Sequence, residues 1–350
     1  MTFLPSGSLI TGRDSTVNYF IKTQLRLIMY SGTKIMMAVL LSLVSITIFA
    51  QPKVILDTDI DSDVDDAGAL AMLHTFADQQ IIDLIGVIIT SEDPYAPICA
   101  DAINRYYKRP NLPVGFLKNQ AFLKNHSRYT RQIAEKFPSR LTSFEQAEDA
   151  TFLYRKLLVE SPDSSVILVT IGHLSNLQYL LQSTGDELSS LNGRELIEKK
   201  VIKWLCMGGN FPEGKEANFY RPDPESTVYC LKVWSRPVIF AGWEVGEKIK
   251  TGGQYLKDHL SPSNPVYQTY QLYNNFEGRS SWDQVAIFML SNEANNYFTT
   301  VKNGYCRVYA DGSNKWISGK EGQHAYIRLK DSINYEEIAR LMDDLVIQRK

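Results

Sequence analysis

A short apolar run, Val54-Ile55-Leu56, leads straight into Asp57-Thr58-Asp59-Ile60-Asp61-Ser62-Asp63-Val64-Asp65-Asp66 and out into Ala67-Gly68-Ala69-Leu70-Ala71-Met72-Leu73. That order reads as a buried strand, an acidic loop and an apolar helix. Six carboxylates within ten residues at one strand end repel one another unless a cation or specific hydrogen bonds hold them. Carboxylate oxygens suit hard ions such as calcium or magnesium. A metal site is the expectation for this loop, with a solvated acidic turn as the bland alternative. An EF-hand does not fit. Counted from Asp57, the sixth and twelfth positions are Ser62 and Gly68, and from Asp59 they are Val64 and Leu70, where Gly and Glu are needed. An aspartyl-phosphate phosphotransferase with Asp57 as nucleophile remains open at this point.

From Gln51 onward, apolar runs alternate with helical patterns. Ile81–Thr90, Pro113–Gly115, Val166–Thr170, Val201–Met207 and Val238–Ala241 read as strands. Helices are expected over Pro97–Tyr107, Phe144–Glu160 with Ser143 as cap, Leu177–Gln182, Pro224–Val233 and Tyr335–Gln348. Continuous apolar strands alternating with helices predict a single α/β domain, residues 51–350, around a mainly parallel, helix-flanked sheet. A small C-terminal module is expected in which Tyr326–Leu329 pairs with Tyr305–Asn314 as a hairpin, followed by the closing helix. Sites in such sheets lie outside the carboxyl ends of the strands. Asp57–Asp66, Thr170–Asn176 and Gly208–Asn218 all fall there.

Apolar content of 44% in 350 residues is ample for a large core. A net charge of −2 gives no reason to expect nucleic acid or an anionic membrane as partner. A small-molecule partner is expected, and a homo-oligomer is compatible with the sequence. Cys99, Cys206, Cys230 and Cys306 form no C-x-x-C pair and read as small buried hydrophobes. Residues 1–50 read as a leader. The apolar run Ile35–Ala50, preceded by Lys34 and followed by Gln51-Pro52, is short for a membrane span and has the form of a signal peptide over about residues 34–50. An exported protein is expected, with a retained single-span anchor as the alternative.

Four motifs in order give the chain a resemblance to the calcium-dependent inosine-uridine preferring nucleoside hydrolases. They are Asp57-Thr58-Asp59 with Asp65-Asp66-Ala67-Gly68-Ala69, Ile171-Gly172-His173-Leu174-Ser175-Asn176, Met207-Gly208-Gly209-Asn210 with Glu216-Ala217-Asn218, and Ser281-Trp282-Asp283-Gln284. The resemblance spans Val54 to about Val346. It implies that Asp59, Asp66, Asp283 and the Ile171 carbonyl hold a calcium ion, with Asp57 orienting that shell. It implies that Asp59 activates a calcium-bound water, and that Asp65, Asn210, Glu216 and Asn218 hydrogen-bond the sugar hydroxyls. The implied reaction is hydrolysis of an N-glycosidic bond through an oxocarbenium-like transition state, giving free base and ribose. Export would then suit salvage of extracellular nucleosides. Glu216-x-Asn218 and Asp283 have no place in the phosphotransferase reading. A non-catalytic or differently specific ribosyl- or carbohydrate-binding relative is the alternative.

The chain departs from the family pattern at two places. Many members carry His directly before the late Asp, where it can protonate a departing purine. Here Trp282 stands there, and indole can stack on or bury a flat group but gives up no proton at ordinary pH. Tyr270, Tyr273, Arg279 and His126 are the alternative donors in segments that can line a base pocket. Thr90-Ser91-Glu92-Asp93 replaces the usual Gly-Asn after the second strand, with Glu92 as a substitute sugar contact. Asp61, where the family's longer-loop branch carries Gly, and Asp63 are expected to be solvated or to sit behind the site. Asp223 and Glu225 are expected to be helix N-terminal acids, His173 structural, and His74 a core or surface residue.

Overall fold

The structure is a computed structural model that describes residues 51–118, 127–319 and 322–348. The expected leader, its signal segment and His126 lie outside those residues. Fourteen strands occur among the described residues: β1 (Lys53–Thr58), β2 (Asp83–Ile89), β3 (Val114–Phe116), β4 (Glu148–Asp149), β5 (Val166–Thr170), β6 (Val201–Met207), β7 (Glu213–Gly214), β8 (Val238–Ala241), β9 (Lys250–Thr251), β10 (Arg279–Ser280), β11 (Phe298–Val301), β12 (Gly304–Val308), β13 (Asn314–Ser318) and β14 (His324–Leu329). Nine form the main sheet in the order β11-β14-β8-β6-β5-β1-β2-β3-β4. Every pairing in it is parallel except that of the edge strand β11 with β14.

The central strand shows why a parallel sheet forms. Val54 and Leu56 enter one apolar cluster, with helix Asp65–Asp78 and the C-terminal helix Tyr335–Ile347, while Ile55 enters the other, with Leu168 and Trp204. Side chains of a strand alternate between faces, so a run that is apolar at every position needs cover on both. Asp57 lies level with Ile88 of β2 and Thr170 of β5, so three strand ends open at one height. The acidic loop leaves β1 there.

Two expected elements differ in detail. The region expected as helix Phe144–Glu160 is a 3-10 turn at Phe144–Gln146, then β4, then a helix confined to Ala150–Glu160. Glu148 and Asp149 pair with β3, which interrupts the helix, and Asp149 caps it by accepting from the Phe152 amide at 3.0 Å. Ser143 makes no side-chain cap hydrogen bond. Tyr326–Leu329 does not close a hairpin with Tyr305–Asn314. β12 pairs with β13, which also pairs with β7, while β14 inserts into the main sheet between β8 and β11. Tyr326 and Ile327 are buried in opposite apolar clusters, which a two-sided sheet interior satisfies and an exposed hairpin would not. The four cysteines are buried and free. Among the described residues no helix is long and apolar enough to cross a membrane.

Candidate active-site cleft

The carboxyl ends of β1, β2, β5 and β6 open into a cleft of about 530 Å³. Asp59, Asp65, Asp66, Ile171, Glu216, Asn218, Trp282 and Asp283 all line it. Tight backbone approach brings the turns together: a Cβ on Gly172 would lie 2.8 Å from the Asp59 amide nitrogen, so only glycine lets the β5 turn close on Asp59. Asp66 and Asp65 open helix Asp65–Asp78, where the helix dipole favours negative charge. Thr58 Oγ1 donates to Asp66 Oδ1. The Asp283 amide donates to Asp65 Oδ2 at 3.1 Å, which joins two segments far apart in sequence. Among the described residues, Asp65 Oδ1 is buried without a hydrogen-bond partner.

Asp57 lies behind this floor and does not line the cleft. Its Oδ2 accepts from Tyr154 Oη at 2.8 Å and its Oδ1 from Asn176 Nδ2 at 3.3 Å, while burial pushes its carboxyl up to about 7. Across the cleft, Glu216 Oε2 accepts from the Gly209 amide at 3.0 Å and Oε1 from the Asn218 amide at 2.8 Å. Gly209 sits at φ 79°, which turns its amide inward at a conformation L side chains avoid. Burial raises Glu216 to about 7 against those hydrogen bonds. Asn218 Nδ2 donates to the carbonyls of Ile171 at 3.3 Å and Met207 at 3.4 Å.

Burial and mutual repulsion dominate the electrostatics of the floor. Asp59, Asp66 and Asp283 are held well above the usual carboxylate range, first by desolvation and then by one another and by Asp61, Asp63 and Asp65. Asp65 is pushed up to about 7 by burial and Asp63, with the Asp283 amide and Arg279 opposing. An all-oxygen donor set of this kind, with one buried oxygen left unpaired, fits a hard divalent cation in its chemistry. Among the described residues no three His, Cys, Asp or Glu side chains converge into a ready coordination shell.

Several residues stand elsewhere than expected. Asn210 does not line the cleft. Its amide donates to Asn314 Oδ1 at 2.9 Å and its carbonyl accepts from Asn314 Nδ2 at 3.0 Å, so Asn210 is pinned to β13. Asp61 is buried, not solvated, and accepts from Ser91 Oγ at the cleft edge. Asp63 accepts from Tyr273 Oη at 2.9 Å and from Arg279 at 2.8 Å. Tyr270 is fully buried against Gln284, 3.4 Å away, and does not reach the cleft. Arg279 does, with its guanidinium 4.8 Å over the Trp282 ring, whose Nε1 donates to the Trp243 carbonyl at 3.0 Å. Glu92 also lines the cleft, and Asp223 caps its helix by accepting from the Ser226 amide at 3.1 Å.

His173 and Arg221 line the cleft as well, though neither stood out as a site residue in the sequence. His173 Nδ1 lies 3.0 Å from Ser175 Oγ, which donates to Asp223 Oδ2 at 2.7 Å. Burial holds the imidazole down at about 4. A polar Ser175 two residues on and an Asp223 needed anyway as a cap were the only signals.

The model of the inosine-uridine preferring nucleoside hydrolases matches residues 54–337. The chain belongs to this family. It is thus a hydrolase acting on N-glycosyl compounds, with N-ribohydrolase activity in the family's general sense. A plant nucleoside hydrolase is similar at 18% identity and TM-score 0.64, covering 85% of this chain and 99% of its own. The inosine-uridine preferring nucleoside hydrolase of Bacillus anthracis is similar at 14% identity and TM-score 0.63, with the same coverage of 85% and 99%. The type III effector protein XopQ, solved in complex with adenosine diphosphate ribose, is similar at 12% identity and TM-score 0.59, covering 85% and 94%. These likenesses establish the nucleoside hydrolase fold. A search of curated protein sequences finds no match.

Proposed function

We propose that this nucleoside hydrolase cleaves the N-glycosidic bond of a ribonucleoside or related ribosyl compound, with calcium held in the carboxylate floor. The observation that carries the reading is the joining of Asp59, Asp65, Asp66 and Asp283, from opposite parts of the chain, in one cleft beside the Ile171 carbonyl. Carboxylates packed this closely raise one another, and a divalent cation would relieve that repulsion. Asp59, Asp66, Asp283 and the Ile171 carbonyl would hold it, and bound there it would gather ribose hydroxyls and water and make that water more acidic. Asp59, the partly exposed member of the floor, takes the proton of the attacking water. Glu216 and Asn218, fixed by the turn after β6, accept and donate to sugar hydroxyls from the opposite wall. Asp57, anchored by Tyr154 and Asn176, keeps the end of β1 in place.

At the aglycone side, Trp282 offers a flat apolar face and Arg279 a fixed cation. Asp63 accepts from both Tyr273 and Arg279, so neither of those donors is free to approach a leaving group without breaking its bond to Asp63. Arg221 and Arg279 in the cleft wall favour a second substrate class, ribosyl compounds that carry a phosphate. The apolar run before Gln51 supports export, and with it a role in salvaging nucleosides outside the cell.

The test is a panel of ribonucleosides, nucleoside 5′-phosphates and adenosine diphosphate ribose with calcium, following free base and reducing sugar. Release abolished by chelator and by Asp59→Asn is expected. Release that persists undiminished in both controls would sink the mechanism.

A further inference from the structure

We propose that Glu244 is a positioning residue for the sugar grip: by holding the Phe211 amide it fixes the turn whose Gly209 amide sets the Glu216 carboxylate. The inference rests on the hydrolase reading of the cleft and adds a residue behind its wall. Four successive amides of that turn each have a different acceptor. Gly208 donates to the Ala241 carbonyl at 3.2 Å, Gly209 to Glu216 Oε2 at 3.0 Å, Asn210 to Asn314 Oδ1 at 2.9 Å and Phe211 to Glu244 Oε2 at 2.9 Å. The short helix Trp243–Gly246 grips the turn twice, because the Trp243 amide also donates to the Gly209 carbonyl at 2.9 Å. Glu216 is thus aimed by Gly209, and Gly209, at φ 79°, has the backbone freedom to swing once its neighbours let go. Glu244 itself does not line the cleft. It faces a separate cavity of about 600 Å³ beside Phe211 and Tyr326, so it touches no substrate. Nor does its own setting favour the fold. Burial pushes its carboxyl up to about 6, and among the described residues its Oε1 is buried without a hydrogen-bond partner. A half-buried carboxylate with one oxygen unpaired costs stability, and what it holds in place is the Phe211 amide.

Removing single hydroxyls from the substrate reads out the grip. kcat/KM is measured with a ribonucleoside and with its 2′-, 3′- and 5′-deoxy forms at saturating calcium. Glu216→Ala should abolish the penalty for the deoxy form that lacks the hydroxyl Glu216 accepts from. Glu244→Ala should shrink that same penalty by about 10-fold and leave the other two. Glu244→Gln, whose amide oxygen still accepts from the Phe211 amide, should keep the penalty within about twofold of wild type. Gly242→Ala repeats the test with the carboxylate present. A Cβ there would lie 2.5 Å from Glu244 Oε2 and 2.8 Å from the Phe211 ring, while the Gly242 φ of −80° suits any residue. It should act as Glu244→Ala does, and it decides the question if Glu244→Ala does not fold. An equal loss on all four substrates, penalties untouched by Glu244→Ala, or a Glu244→Gln as impaired as Glu244→Ala would each overturn the proposal. A wild type that cleaves none of the four sinks the hydrolase reading alone. Calorimetric titration of ribose and its deoxy forms into the calcium-loaded protein then applies the same comparison to binding. Ribose that does not bind, or a penalty lost in Glu216→Ala and kept in Glu244→Ala, would overturn the positioning role.

Discussion

The floor of the cleft and its aglycone wall are built in opposite ways. Asp59 and Ile171 follow directly from strands β1 and β5, whose parallel register is locked residue by residue, and Asp65 and Asp66 start the helix behind them. Trp282 and Arg279 stand where β10 passes into a short helix and hold their places through side-chain contacts: Trp282 through the Trp243 carbonyl, Arg279 through Asp63. Backbone pairing across many residues fixes chemistry. Single side-chain braces leave room for a change of substrate without disturbing it.

That contrast can be broken first at the floor. Asp59→Asn should lower kcat by about 10²- to 10⁴-fold, the range of a lost general base, in a base-release assay at saturating calcium. A variant within a few-fold of wild type would move catalysis elsewhere. Asp57→Asn, one layer back, should weaken calcium binding by about 10- to 100-fold by calorimetry while the fold is kept. At the wall, Trp282→Ala should cost about 10-fold in kcat/KM for purine substrates, with Trp282→Phe recovering most of it. Equal activity in both variants would mean that no flat group stacks there.

Acidity offers a weaker but independent probe. Asp57, Asp65 and Glu216 rise from the ordinary carboxylate range to about 7 in the folded chain. The folded state therefore holds more protons than the unfolded state between about pH 4 and pH 7, and stability falls as pH rises across that window. The calcium-free protein should lose several degrees of Tm over it, and calcium should flatten the loss by binding the ionised floor. A metal-free Tm that rises instead would refute the burial-driven repulsion. Smallest of all, Asn210→Ala should leave kcat/KM within about twofold, because both Asn210 hydrogen bonds to Asn314 use its backbone.

Much of the fold was legible because its strands are unbroken apolar runs. β5, β6 and β8 and helix Pro224–Val233 begin and end where sequence periodicity places them. The two-residue strand β4 left no such trace, since Glu148 and Asp149 are polar and only their pairing with β3 makes them a strand. β14 was misplaced for a related reason: its apolar residues name a buried strand but not its neighbours. Within the site, the residues to which the family resemblance gave a role reach the cleft, apart from Asp57 behind it and Asn210. Asn210 depends on Asn314, 104 residues later, and the setting of His173 depends on Asp223. Local patterning carries no record of such partners.

The hydrogen bond from the Asp283 amide to Asp65 closes a span of 218 residues. A chain emerging from the ribosome holds the acidic loop almost from the start but cannot complete the floor until helix Trp282–Phe288 has been made. Until then, six carboxylates stand at the end of β1 without the segment that braces Asp65. Closing so long a loop costs only slightly more entropy than closing one half its length, so the delay is one of synthesis more than of thermodynamics. Anything that grips both Asp66 and Asp283 would then act as a clasp on the whole chain, and its presence would slow proteolysis at sites far from the cleft.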